Sequence, residues 1–238
     1  MLKNNNAFAP PPCTYKFPTT GLYDGIEFAS AFTSFVLGTL QDASQGLAKN
    51  GDTGAVRSVA SSLGQEGEQN GFYRTLLARK PSQKPFLTTS VAPFAYSLLL
   101  RFVDKCPFAI TDIPFPTFPA LDVITGRGGL DVEAKDQDIA FHADVGSAWE
   151  HGKCDGLFIT YFTGQNVPSS WPVKNCKWDG SKVSLEAFFP YQKFVMDGLS
   201  IASLTKGNNF ALPGDVVGST LAAPGLIQVN DKIGALVH

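Results

Sequence analysis

The chain has 238 residues and a formal net charge of −2, with 44% hydrophobic, 12% aromatic and only 17% charged residues. Soluble domains average about 25% charged residues, so this chain is charge-poor, and its 19 Phe supply ample apolar surface for a core. A disordered chain is thereby excluded, singly scattered Lys and Arg leave no basic stripe for nucleic acid, and no apolar run approaches the roughly 18 residues of a membrane span.

Residues 1–19 read as an extended arm. Met1–Pro12 carries Lys3, three Asn and three consecutive Pro but no apolar centre, so no signal peptide is expected within this chain. Its compartment stays open: cytoplasmic, or cell wall or extracellular after processing. Residues 20–105 carry a helical period. Leu22, Ile26, Ala29, Phe32, Val36, Leu40, Ala43 and Leu47 recur at steps of three and four, which predicts one long helix with Thr20 as its cap. Asn50-Gly51-Asp52 predicts a turn, and Val56, Val59, Leu63, Glu66, Asn70, Tyr73 and Leu77 predict a second helix antiparallel to the first. A shorter third helix is expected from Ala92 to Phe102, with Pro93 in its first turn.

Residues 106–238 change character. Pro107, Pro114, Pro116 and Pro119 mark an extended crossing, after which short alternating segments recur between Gly, Pro and Asn clusters. Strands are predicted at Asp138–Val145, Leu157–Phe162, Lys182–Phe189, Phe194–Ala202 and Gly225–Val229. The expected fold class is α+β: a helical hairpin with a short third helix, followed by a small antiparallel, sandwich-like β region packed on the helices.

Polar residues on the second helix attract functional attention. Glu66 and Asn70 share its apolar stripe, Gln69 lies beside them, and Gly67 and Gly71 leave room for a close neighbour or a ligand. A carboxylate facing a core is costly unless paired or bound to a cation. The plainer alternative places Glu66 at a solvated edge. The four cysteines, Cys13, Cys106, Cys154 and Cys176, never form Cys-x-x-Cys, which excludes a zinc knuckle, and allow three disulfide pairings or buried free thiols.

The run Cys13 to Thr20, the two long helices, Pro85-Phe86 through Ala95-Tyr96-Ser97 to Phe102, Cys106 and Pro107, and the stretch Phe115 to Val123 together resemble the second half of the fungal ferritin-like proteins, the sexual-development and desiccation-related family. The likeness extends more loosely over Phe210 to Val229. It implies a ferritin-like helical hairpin that is half of a four-helix bundle, which a second copy would complete as a homodimer. It also implies Cys13–Cys106 and, by remainder, Cys154–Cys176 as disulfides. The family's metal ligands do not carry over: the Glu position on the second helix holds Glu66, its His position holds Gln69, and the Glu position on the first helix holds Leu37, with Gln41 one turn on. Redox iron is therefore not expected.

What such a site retains is an apolar cavity framed by Phe28, Phe32, Phe35, Phe72 and Tyr73, with Gln41, Glu66, Gln69 and Asn70 as sparse polar points. The expected function is non-catalytic binding of a small apolar or conjugated organic ligand, a pigment as in a chromoprotein being one case; the alternative for these Phe is plain core packing. Rival readings are a metal-dependent oxidase using Glu66, or His142, Asp144 and His151, and a ligand-free structural or stress-protective protein. His238 is terminal. No Gly-x-Ser-x-Gly elbow or Walker pattern occurs, and Gly126-Arg127-Gly128-Gly129 reads as a turn.

Overall fold

A computed structural model describes residues 8–150 and 152–229. The body of the molecule is a seven-stranded antiparallel sheet in the order β3-β4-β7-β6-β5-β8-β9, built from β3 (Leu121–Val123), β4 (Gln137–Asp144), β5 (Phe158–Thr163), β6 (Ser169–Asp179), β7 (Lys182–Phe189), β8 (Gly198–Thr205) and β9 (Thr220–Val229). The end strands curl toward each other: the Ala223 amide donates to the Pro119 carbonyl at 3.0 Å, and the segment after β3 pairs with β9 through Gln228 N–H to Gly129 O (2.7 Å) and Val132 N–H to Gln228 O (3.1 Å). The sheet is thus a nearly closed barrel, which removes most of its exposed edge. Gly129 makes the closure possible, since its φ is +85° and a Cβ there would stand 2.1 Å from the Leu226 carbonyl.

Alternation along the strands fills the barrel. Ile139, Phe141 and Ala143 of β4 and Val183, Leu185, Ala187 and Phe189 of β7 point inward and meet Ile159, Tyr161, Ala202, Leu204 and Ile227. All eight residues of β8 are buried, because its outer face is covered as well. There Leu199 and Ile201 join Phe162, Phe35, Phe94 and Leu98 in a second core beneath the helices.

The longer helices are α1 (Leu22–Lys49), α2 (Thr53–Leu76) and α3 (Ala92–Leu100), with the turn at Asn50–Asp52 and Pro93 in the first turn of α3 where the spacing places them. They do not form a ferritin-like half-bundle, and the β region is no small sandwich laid on them: the chain is mostly β, and the barrel carries the helices. The reason lies on α1. The predicted stripe of Ile26, Phe32, Val36 and Leu40 is only half-buried, and Leu22 is 81% exposed. The buried residues are instead Glu27, Ser30, Ala31, Ser34, Phe35, Leu37 and Gly38. One row of these, Ser30 and Ser34, turns to α2; another, ending in Phe35 and Gly38, turns to the barrel and to the strap over it, the connection 77–91 between α2 and α3. The helix is sandwiched, and the sheet supplies the apolar partner that a second hairpin would supply in a bundle.

The arm before α1 is held at two points. Strand β1 (Thr14–Tyr15) pairs with β2 (Val103–Lys105), and Cys13 is bridged to Cys106, as Cys154 is to Cys176. Both pairings are those expected, and no cysteine is free.

Gly38 is the closest approach of α1 to its surroundings: a Cβ there would lie 2.2 Å from the Thr88 carbonyl. Ala gains about 1 kcal/mol of helix propensity over Gly, but overpacking against backbone costs about 1–3 kcal/mol. Gly38→Ala is therefore expected to lower the thermal midpoint, whereas Gly64→Ala on α2, with open space around its Cβ, raises it; differential scanning calorimetry on both variants checks the contrast.

Candidate functional site

The N-terminal half of α1 lines an apolar cavity of about 220 Å³. Asp24, Glu27, Phe28, Ala31 and Phe32 reach it at the three-and-four spacing that brings helix residues to one face. The end of α3 adds Leu98 and Phe102, β9 adds Leu226, and the turn after β3 adds Arg127 and Leu130. Pro18 of the arm closes one side. The arm reaches this place because the Lys16 amide donates to the Phe102 carbonyl at 2.8 Å, just beyond the β1–β2 pairing and the Cys13–Cys106 bridge.

Aromatic rings dominate the wall. Phe28 meets Phe102 edge-on at 5.0 Å and stacks on Phe32 at 5.9 Å, while Phe17 lies 5.4 Å from Phe28 and 5.7 Å from Phe102. Phe17 in turn stacks on Tyr15 at 6.0 Å, so the aromatic surface continues outward along the arm. Edge-on and offset contacts of this kind suit ring quadrupoles and leave ring faces for a further planar group.

The polar end of the cavity is an ion cluster. The Glu27 carboxylate is 3% exposed and accepts hydrogen bonds from Arg79, itself buried, and from Arg127 Nη2 at 2.7 Å. Arg127 also binds Asp131 at 2.8 Å, and Asp131 stands 3.6 Å from Arg79. Burial alone pushes the Glu27 carboxyl up; the hydrogen bonds from Arg127 and Arg79, and then their charges, outweigh it and leave it below the usual glutamate range. The same bonds from Glu27 and Asp131 raise Arg127. A ligand in the cavity therefore meets mostly apolar walls, with the Glu27–Arg127 pair and the Asp24 carboxylate as its charged points.

Of the residues singled out from the sequence, Phe28 and Phe32 lie in this cavity. Phe35 is fully buried against Phe94 and the outer face of the barrel, and Leu37 is fully buried. Gln41 accepts from Gln165 Nε2 at 2.6 Å beside an open polar groove of about 530 Å³. On α2, Glu66 and Tyr73 are half-buried, Gln69 is exposed and Phe72 is 61% exposed, none of them lining the aromatic cavity. Asn70 is fully buried, but it faces no ligand space: its amide joins the hydroxyls of Ser30 (2.7 Å) and Ser34 (2.8 Å) and so spans the two helices. His142 and Asp144 share the outer face of β4, where Asp144 accepts from Ser181 and from the Gly146 amide, which keep its carboxyl low. His151 and His238 lie outside the described residues. Among those described, no group of three His, Cys, Asp or Glu is arranged to hold a metal ion.

Missed from the sequence were Glu27, Phe102, Arg79 and Arg127. A signal for the first existed. Glu27, Ser30, Ser34, Leu37 and Gln41 follow each other at steps of three and four, a second stripe on α1 hidden beside the more hydrophobic one. Nothing in local spacing ties Arg79 or Arg127 to it, since they lie 52 and 100 residues away.

Removing one partner of a buried ion pair costs about 3–5 kcal/mol, because the other charge stays buried. Glu27→Gln is expected to lose that much in urea unfolding, and Glu27→Leu combined with Arg79→Met much less. The sign with pH follows from the lowered carboxyl: Glu27 contributes stability above the ordinary glutamate value of about 4.3, and loses it as pH falls through the lower folded value. The acid limb of the stability curve should flatten in the double variant. Comparison of the chain with protein-family models and with curated proteins returned no match.

Proposed function

We propose that this chain is a non-catalytic binding protein for a small apolar organic ligand, seated in the aromatic cavity between α1, α3 and β9. The observation that carries this reading is the cavity's composition: a wall of Phe28, Phe32, Phe102, Leu98 and Leu226 with few charged points, the Glu27–Arg127 pair and Asp24. Apolar walls with few polar points are the usual profile of an organic-ligand site. Size narrows the class. An apolar cavity of about 150 Å³ holds benzene, so about 220 Å³ suits one or two fused rings. The stacked rings of Phe28 and Phe32 favour a planar, conjugated ligand, and a pigment falls within that class. All four cysteines are bridged, so attachment through a thiol is not part of the proposal.

Indole and naphthalene are suitable probes. Each should shift the methyl resonances of Ala31, Leu98 and Leu226 saturably, and Ala31→Phe, which fills the cavity, should abolish the shifts while cooperative unfolding persists. Equal binding by the variant, or none by the wild type, overturns the reading. Protein from its natural source should release an organic compound on denaturation, and an absorption spectrum of that extract shows whether it is coloured.

A second copy of the chain is the partner we propose, through α2. Phe72 and Leu76, one turn apart on that helix, are 61% and 51% exposed, an apolar pair that α1 does not cover. The wild type is expected to scatter light at twice the 25.5 kDa chain mass, and Phe72→Glu with Leu76→Glu at the monomer mass. A monomeric wild type at micromolar concentration removes the dimer from the proposal without touching the ligand site.

A further inference from the structure

Between α1, α2 and β8 lies a second cavity, of about 190 Å³, and its character is opposite to that of the aromatic one. Two cations stand at its wall. Arg74, on the last turn of α2, donates from Nη1 to the Pro81 carbonyl and from Nη2 to the Ser34 hydroxyl, each at 3.0 Å. A guanidinium has five N–H groups; a third reaches the Asn70 side-chain oxygen at 3.3 Å, which leaves two with no acceptor among the described residues. The Lys84 ammonium donates to Thr163 Oγ1 (2.9 Å), the Leu199 carbonyl (2.9 Å) and Thr88 Oγ1 (3.2 Å), all of them neutral. Among the described residues no carboxylate comes within 4.0 Å of either cation.

The charge is therefore held without a carboxylate in contact. Burial pushes the Lys84 ammonium down to about 8, with Asp197 opposing and Arg74 adding to the fall. Arg74 is pushed down to about 10 by burial and then by the nearby charge of Arg79. Asp197, whose carboxylate accepts from the Tyr191 hydroxyl at 2.7 Å, makes no ion pair with Lys84 and acts on it only through its field. Elsewhere in the molecule the pattern is different: the buried Arg79 has Glu27 against it. A pair of cations left uncompensated beside a space several waters in size is the arrangement that an anion completes.

We propose that this cavity is a binding site for a small oxyanion, a carboxylate or a phosphate-like group, with the spare N–H groups of Arg74 as its directional donors and the ammonium of Lys84 as the neighbouring charge. The site is separate from the aromatic cavity, which lies against other residues of α1, so either can fail alone. Arg74 suits the role because its planar fork matches two oxygens of one anion. Lys84 has all three donors engaged and so contributes field more than direction.

The test uses the full chain with sodium phosphate, sulfate or acetate, each against chloride at equal ionic strength. Binding is expected as a saturable rise in thermal midpoint, and Arg74→Gln should weaken it by about tenfold or more, the worth of a charge-assisted hydrogen bond. Because Arg74 also joins α2 to the strap, a second reading uses the wild type alone: the Lys84 side-chain resonance should titrate well above 8 when the anion is saturating. Saturation by phosphate and sulfate only identifies a tetrahedral anion, and saturation by acetate a carboxylate; either supports the proposal. No effect beyond chloride, or an unmoved Lys84 titration, overturns it.

Discussion

The buried carboxylate of Glu27 is the joint on which the arrangement depends. It sits on α1, yet its two guanidinium partners come from the residues just after α2 and from the turn that follows β3. One side chain thus ties the helical hairpin to the closing edge of the barrel. The Gly129 amide and carbonyl, two residues from Arg127, belong to that same turn, and its carbonyl receives the Gln228 amide of β9. Docking of the helices and closure of the sheet are therefore one structural event, joined through an ion cluster. Such a cluster adds little net stability, since each charge must leave water. What it adds is alignment, because a shift of either element strands a buried charge.

Alignment of this kind explains where the aromatic cavity comes from. α1 is pinned at Glu27 near one end and pressed on the strap at Gly38 further along, where its backbone comes nearest to the Thr88 carbonyl. Between these points Phe35 packs on the outer face of the barrel. Phe28 and Phe32, nearer Glu27, line the cavity with Phe102 from the turn after α3, and the disulfide-anchored arm brings Phe17 and Pro18 over them. A cavity in an otherwise close-packed interior forfeits dispersion energy. Here it survives because its walls belong to three separately held elements, none of which can close it alone.

Much of the local structure was legible in the sequence. The three longer helices, the Asn50-Gly51-Asp52 turn and the positions of β4, β5, β7, β8 and β9 follow from period and turn chemistry, and β7 matches its predicted limits at Lys182 and Phe189. Strand β6 escaped because Pro172, Lys174 and Asn175 break its alternation, and Asn175, at φ +49°, sits within the irregular register between Lys174 and Lys177. Sheet closure left no local trace at all, since it rests on contacts between residues about 100 apart, such as Ala223 with Pro119. The helix stripe misled for a definite reason. Hydrophobicity ranks Ile26, Val36 and Leu40 above Ser30 and Ser34, but the hydroxyls are the buried ones because Asn70 and Arg74 satisfy them from α2.

That polar ladder also changes the meaning of the low charge content. A chain with few ionisable groups could be expected to spread them over its surface. Instead, Glu27, Arg74, Arg79 and Lys84 are drawn into the seams between α1, α2 and the barrel. α1 separates them into two settings. On one side Glu27 finds two guanidinium groups and the charges cancel beside an apolar space; on the other, Arg74 and Lys84 meet only neutral oxygens beside a polar one. The helix is the partition between a compensated and an uncompensated cavity. This contrast, more than the size of either space, is why one suits a ring system and the other an anion.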